Sequence, residues 1–159
     1  MDLALYNKQI LALAASVPRV GRLEAPHASA TAHSRICGSR ITVDVRLDGP
    51  VITDYAQEPK ACAIGKAVAS VVGKVVVGLT MQEVEEGAEI LQAILKTKAA
   101  PPAGPWAELE PFLPVADVPV RHNSAVLPFL ALQQAFAELR FEQTGQPLAS
   151  AGTVQIDGR

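Results

Sequence analysis

Residues 41–47 alternate strictly between apolar and polar side chains and run straight into Asp48-Gly49-Pro50, and no other stretch limits the fold so tightly. Ile41, Val43, Val45 and Leu47 fall on one side and Thr42, Asp44 and Arg46 on the other, the pattern of a strand with one buried and one wetted face. Asp-Gly is a hairpin signal, and the run at 51–55 behind it supplies the partner strand. With a weaker alternation at 29–33, this predicts a small three-stranded antiparallel sheet, solvated on one face, whose other face must be covered by helices.

The helices are legible from period and punctuation. Leu3, Tyr6, Ile10, Leu13 and Val17 recur at spacings of three and four until Pro18. Residues 62–77 are rich in Ala and Val; their length and the following Gly78 favour a buried helix over a strand. Thr80-Met81-Gln82-Glu83 reads as a capping box that starts a helix with Met81, Val84, Ala88, Leu91 and Leu95 inward. Residues 99–105 make a Pro- and Gly-rich surface loop, and the helix-prone 106–112 packs locally. A last helix is expected from Asn123 or Ser124, with Phe129, Leu132, Phe136 and Leu139 on one face and Pro128 near its first turn. The class is α+β: one domain over 1–142, followed by a polar, flexible tail over 143–159.

The 14 Lys plus Arg against 16 Asp plus Glu leave a formal charge of −2, and no basic run is present to neutralise phosphates, so nucleic acid is not an expected partner. The apolar stretch at 61–77 is interrupted by Lys66 and Lys74, and Met1-Asp2-Leu3 lacks the positive flank of a secretory signal, which predicts a cytoplasmic protein without a membrane span. No glycine-rich phosphate loop, nucleophile elbow, HExxH pair or CxxC is present, so nucleotide hydrolysis, serine hydrolase, zincin and thioredoxin chemistry all lack their residues.

What remains is sulfur. Cys37 sits where a loop turns into the alternating strand, and Cys62 stands before the Ala- and Val-rich helix, positions that can converge. In a reducing compartment, metal or redox chemistry is a better expectation for the pair than a disulfide, with inert buried thiols as the bland alternative. Cys62 has an argument of its own: backbone donors at a helix N-terminus favour negative charge on sulfur, which makes it the candidate sulfur acceptor. Lys60 adds to that effect or is simply solvated, and Arg40 pairs with an acid, either a partner's or Asp44.

Leu5-Tyr6, Pro18-Arg19-Val20-Gly21, Cys37-Gly38, Ala61-Cys62-Ala63-Ile64, and Val120-Arg121 through Leu127-Pro128-Phe129 occur in an order and spacing that resemble the NifU/IscU-type iron–sulfur cluster assembly scaffolds. The likeness runs over residues 3–140. It implies an α+β domain with a metal or cluster site at one end, where three cysteines converge together with an aspartate two residues after the first. A cysteine desulfurase delivers sulfur there, iron joins it, and the cluster, first of the 2Fe–2S kind, passes to acceptor apo-proteins, without turnover by the scaffold.

The resemblance assigns Cys37 and Cys62 to the first two cysteine positions. Ser39 stands where the aspartate belongs and Ser124 where the third cysteine belongs. A cluster or a tetrahedral zinc usually takes four donors, and a serine hydroxyl is a poor ligand beside a thiolate, so a histidine is the obvious substitute. His122, two residues before Ser124, is the first candidate and His33 the second; His27 has no assigned role. Three functions follow: a scaffold or carrier holding iron or a labile cluster through Cys37 and Cys62, a degenerate paralogue acting by contact with a desulfurase, and a zinc-bound sulfur acceptor.

Overall fold

The structure is a computed structural model that describes residues 7–36, 38–144 and 153–156. Helix α1 (Lys8–Ala15) is capped by Asn7, whose Oδ1 accepts the Ile10 N–H at 2.9 Å. The first residues of the expected helix, Leu3 and Tyr6, lie outside the described residues. Strands β1 (Ala28–Ser34), β2 (Arg40–Asp48) and β3 (Val51–Lys60) form the expected antiparallel sheet. β3 runs ten residues, well past Tyr55, because its end is disguised in sequence by the buried Gln57 and by Pro59.

The sheet also holds a fourth strand. β4 (Thr153–Ile156) joins the free edge of β1 in parallel, giving the order β3-β2-β1-β4. The sequence reading placed no element in that segment.

Helices α2 (Ala63–Val75), α3 (Met81–Thr97) and α4 (His122–Thr144) complete the fold, with 3-10 segments at Ala107–Asp117 and Pro119–Arg121 between the last two. α2 is apolar nearly all round because it is enclosed, packing on α1, α4 and β3. α3 has the complete capping box, with Thr80 Oγ1 accepting from Glu83 N–H and Glu83 Oε1 from Thr80 N–H.

α4 lies over β1 and β2, whose inward residues are Ala28, Ala30, Ala32, Ile41, Val43 and Val45, and buries Phe129, Leu132 and Phe136. The 3-10 turn winds directly into α4, so the helix starts at His122. Asn123 and Ser124 therefore occupy its first turn instead of capping it, and Pro128 falls in the second turn.

A buried polar node pins the connector after α1 to the sheet. Gln57, fully buried, donates from Nε2 to the carbonyls of Pro18 (2.9 Å) and Ala69 (3.0 Å) and accepts from the Tyr55 hydroxyl at 3.1 Å. Burial first, and the charge of Asp44 second, push the Tyr55 hydroxyl far above its ordinary value and keep it a neutral donor. Among the described residues no helix is long and apolar enough to cross a membrane.

Candidate functional site

Three chain segments separated in sequence meet at one end of the sheet: the β1–β2 loop, the β3–α2 junction and the start of α4. The loop is closed on itself, with Ser34 N–H donating to the Ser39 carbonyl at 2.8 Å and Gly38 N–H to the Ser34 carbonyl at 3.0 Å. Gly38, at φ 71, takes the left-handed conformation that this return requires.

Ser39 then reaches across the sheet end. Its Oγ accepts the backbone N–H of Cys62 at 3.3 Å, while Ser39 itself is only 3% exposed. Cys62 is the N-cap of α2, extended at φ −68 and ψ 173, and its own side chain makes no capping hydrogen bond. A hydroxyl from the β1–β2 loop thus satisfies a backbone donor that the cap residue leaves open, and Cys62 stays half-buried at the rim of the core.

The start of α4 lies against the first turn of α2 at Gly65. A Cβ on Gly65 would stand 3.3 Å from the Ser124 carbonyl oxygen and 2.9 Å from Ala61 Cβ, so a larger residue here would push against α4 and against the segment before α2. Pro128 has no N–H to give to that same carbonyl, four residues back, which removes its ordinary helical donor. Ser124 is completely buried.

His122 Nε2 lies 2.9 Å from the Val115 carbonyl; the carbonyl is an acceptor, so Nε2 is the donor in this contact. His33 is opposite Arg40 in the ladder and shares the wetted sheet face with Ser29 and Thr31, away from α4. Nδ1 of His27 accepts the Leu47 N–H at 3.0 Å, in keeping with its lack of an assigned role. Cys37 lies outside the described residues.

Arg40 does not pair with Asp44. Asp44 belongs to Arg22, with contacts of 2.7 and 3.0 Å, and also accepts from Ser29 Oγ and the Leu23 N–H. The connector before β1 folds over the wetted face and buries this carboxylate completely. Burial by itself raises its pKa, but hydrogen bonds from Arg22, Ser29 and Leu23 prevail and hold it below the ordinary value.

The sequence reading did not identify Gly65 or Ser34. Ser34 Oγ is buried and has no hydrogen-bond partner among the described residues. Extending the inward parity of Ala28, Ala30 and Ala32 by one step finds it at the mouth of the site.

The described residues, which do not include Cys37, hold only part of a zinc donor set. Among the described residues no three His, Cys, Asp or Glu side chains cluster. Ser39 Oγ already serves the Cys62 amide and Ser124 is sealed in the core, leaving Cys62 far short of a tetrahedral set.

The NifU-like N terminal domain profile matches residues 5–101. The zinc-dependent sulfurtransferase SufU of Bacillus subtilis (strain 168) is 26% identical over 102 residues, 64% of this chain and 69% of SufU. The N-terminal part of a nitrogen-fixing NifU-like protein from Brucella abortus superposes with a TM-score of 0.83 at 38% identity, over 86% of this chain and 95% of that one. FiSufU of Fervidobacterium islandicum AW-1, described as an iron–sulfur cluster assembly scaffold for the SUF system, shares the fold with a TM-score of 0.76 at 24% identity, over 82% and 96% of the two chains. The chain belongs to the NifU-like N-terminal domain family.

Proposed function

We propose that this protein is a cytoplasmic scaffold or carrier in iron–sulfur cluster assembly, with Cys62 as the sulfur-accepting thiol and Cys37 as the second thiolate that holds iron or a labile cluster as cargo. The observation that carries the reading is the placement of Cys62: half-buried at a helix N-terminus, its backbone N–H held by Ser39 of the β1–β2 loop, in a chain of this family. A thiol so placed is partly exposed, on a main chain anchored at its N–H.

Sulfur acceptance needs no co-reactant. The Cys62 thiolate attacks the outer sulfur of a desulfurase persulfide, the donor S–S bond breaks, the donor leaves as a thiolate and the sulfane sulfur stays on Cys62. Iron and acceptor apo-proteins enter afterwards as cargo and destination. The similarity to a zinc-dependent sulfurtransferase favours the acceptor half of this reading and supports zinc as an alternative occupant of the Cys37 and Cys62 site. Ser39 and Ser124 favour the second reading, a paralogue working by contact with a desulfurase alone.

Anaerobic reconstitution with ferrous iron and sulfide, followed by visible absorbance and iron counting, tests the proposal on wild type, Cys37→Ala and Cys62→Ala. Both variants are expected to lose the iron that wild type retains. Equal retention in all three overturns the scaffold reading and leaves contact alone.

A further inference from the structure

The C-terminal strand β4 ends against the residue that closes the β1–β2 loop. It pairs in parallel with Thr31, Ala32, His33 and Ser34, and its last residue, Ile156, is opposite Ser34. Ser34 N–H donates to the Ser39 carbonyl, and the Ser34 carbonyl accepts from Gly38 N–H. Ser39 Oγ in turn accepts the N–H of Cys62. A continuous series of contacts therefore leads from the tail, through Ser34 and the loop, to the main chain of the half-buried Cys62.

The hold on β4 is slight. The strand is four residues long, and its ladder with β1 is parallel, the arrangement that is less stable per residue than an antiparallel one. Its packing is against β1 and α4, and it lies beyond the residues 5–101 matched by the family profile. By contrast β2 and β3 pair with each other from Arg40 to Asp48 without any contribution from β4. A short terminal strand of this kind belongs to the part of a fold that opens while the rest stays folded.

Ser34 supplies a reason for opening. Its side chain is 2% exposed, and its Oγ has no hydrogen-bond partner among the described residues. A buried hydroxyl without a partner is costly, and the cost falls on the residue at which β4 stops.

We infer that β4 is a releasable strap. Docked on β1, it covers an edge that would otherwise present a row of open backbone donors and acceptors, and it locks the β1–β2 loop through Ser34. Undocked, it admits water to the Ser34 hydroxyl, frees the loop and loosens the hold of Ser39 on the Cys62 main chain. The strap thereby sets how readily Cys62 reacts, a step that rests on the proposed sulfur acceptance there.

The test is amide hydrogen exchange on the full chain carrying Val154→Pro/Gln155→Pro. Backbone groups of successive strand residues point to opposite sides, so one of the two prolines removes a donor that faces β1. Val154→Thr/Gln155→Thr keeps both donors and serves as the control. In the proline variant the Ser34, Gly38 and Cys62 amides should exchange about tenfold faster or more. Gln57 N–H, bonded to the Arg19 carbonyl on the opposite edge strand, should stay within about twofold. Alkylation of Cys62 by iodoacetamide, read by peptide mass, should accelerate about fivefold or more, and the threonine control should match wild type in both measurements. Circular dichroism checks folding, and Val154→Gly/Ile156→Gly replaces the prolines if they unfold the chain. Unchanged exchange at Ser34 and Gly38 overturns the strap, and so does an equal rise at Gln57, which reports weakening of the whole fold. Faster exchange with unchanged alkylation overturns its control of Cys62. Neither measurement uses iron or transferred sulfur, so failure of the strap leaves the scaffold reading intact, and failure of sulfur transfer leaves the strap intact.

Discussion

Ser39 Oγ accepts the backbone N–H of Cys62 at 3.3 Å, so the residue in the usual aspartate position holds the thiol's main chain in place and is not itself a free donor. Ser39→Ala leaves that part-buried N–H without its acceptor. Losing a capping acceptor costs about 1 kcal/mol, a fall in melting temperature of about 3 °C for a chain of this size. Thermal unfolding measures it, and Ser39→Thr, which keeps the hydroxyl, should recover most of the loss. No change in Ser39→Ala would mean that the contact contributes nothing.

Gly65→Ala tests how closely α2 and α4 must approach. Alanine in a helix gains roughly 0.5–1 kcal/mol over glycine, but the new methyl would stand 2.9 Å from Ala61 Cβ and 3.3 Å from the Ser124 carbonyl. Overpacking against atoms fixed to backbone costs about 1–3 kcal/mol, so a net loss is expected on urea unfolding. Sulfur acceptance by Cys62 should also slow, since the start of α4 is displaced from the first turn of α2. A more stable variant with unchanged transfer would refute the account of this contact.

The strand at 41–47 was legible because one of its faces is wet and the other dry, and Thr80–Glu83 because a capping box is a local pattern. The contacts that make the site were not legible. A serine hydroxyl meeting an amide 23 residues away, or Arg22 instead of Arg40 claiming Asp44, depends on how loops fold over the sheet, which no periodicity records. Likewise Thr153–Ile156 is a short segment on a parallel edge, and only the exposed edge of β1 gives it a partner. The positions of Ser124 and Gly65 were visible as letters, but their meaning comes from a single close approach of two helices.

Asp44 is expected to help set the acid limit of stability. Its pKa is held below the ordinary carboxylate value in the fold, so the unfolded chain takes up the proton first. Its contribution is complete above the unfolded value of about 3.9 and disappears as pH falls through the lower folded value. Asp44→Asn should cost about 2 kcal/mol at pH 7, less than a fully buried pair because half-exposed Arg22 is rehydrated. Its stability should then decline less between pH 4 and pH 2 than that of wild type. Denaturant unfolding across that range measures both; parallel acid limbs would show that Asp44 does not set the limit.

Restoring the two departures from the family pattern should create the metal site that the described donors lack. Ser124→Cys exchanges a buried oxygen for a larger, softer sulfur at the start of α4, and the complete burial of Ser124 makes that exchange mildly costly. Ser39→Asp keeps an oxygen acceptor for the Cys62 amide and adds a carboxylate between the β1–β2 loop and α2. With Cys37 and Cys62 the double variant has four donors, the number that tetrahedral zinc requires. After exposure to zinc and a chelating column, it should retain about one zinc per chain, and wild type should retain little, as read by elemental analysis on the same preparations. A wild-type protein that kept a full equivalent would mean that its serines or His122 serve as ligands. A double variant that kept none would mean that the three segments do not bring their side chains to a common point, which is the premise of the site itself.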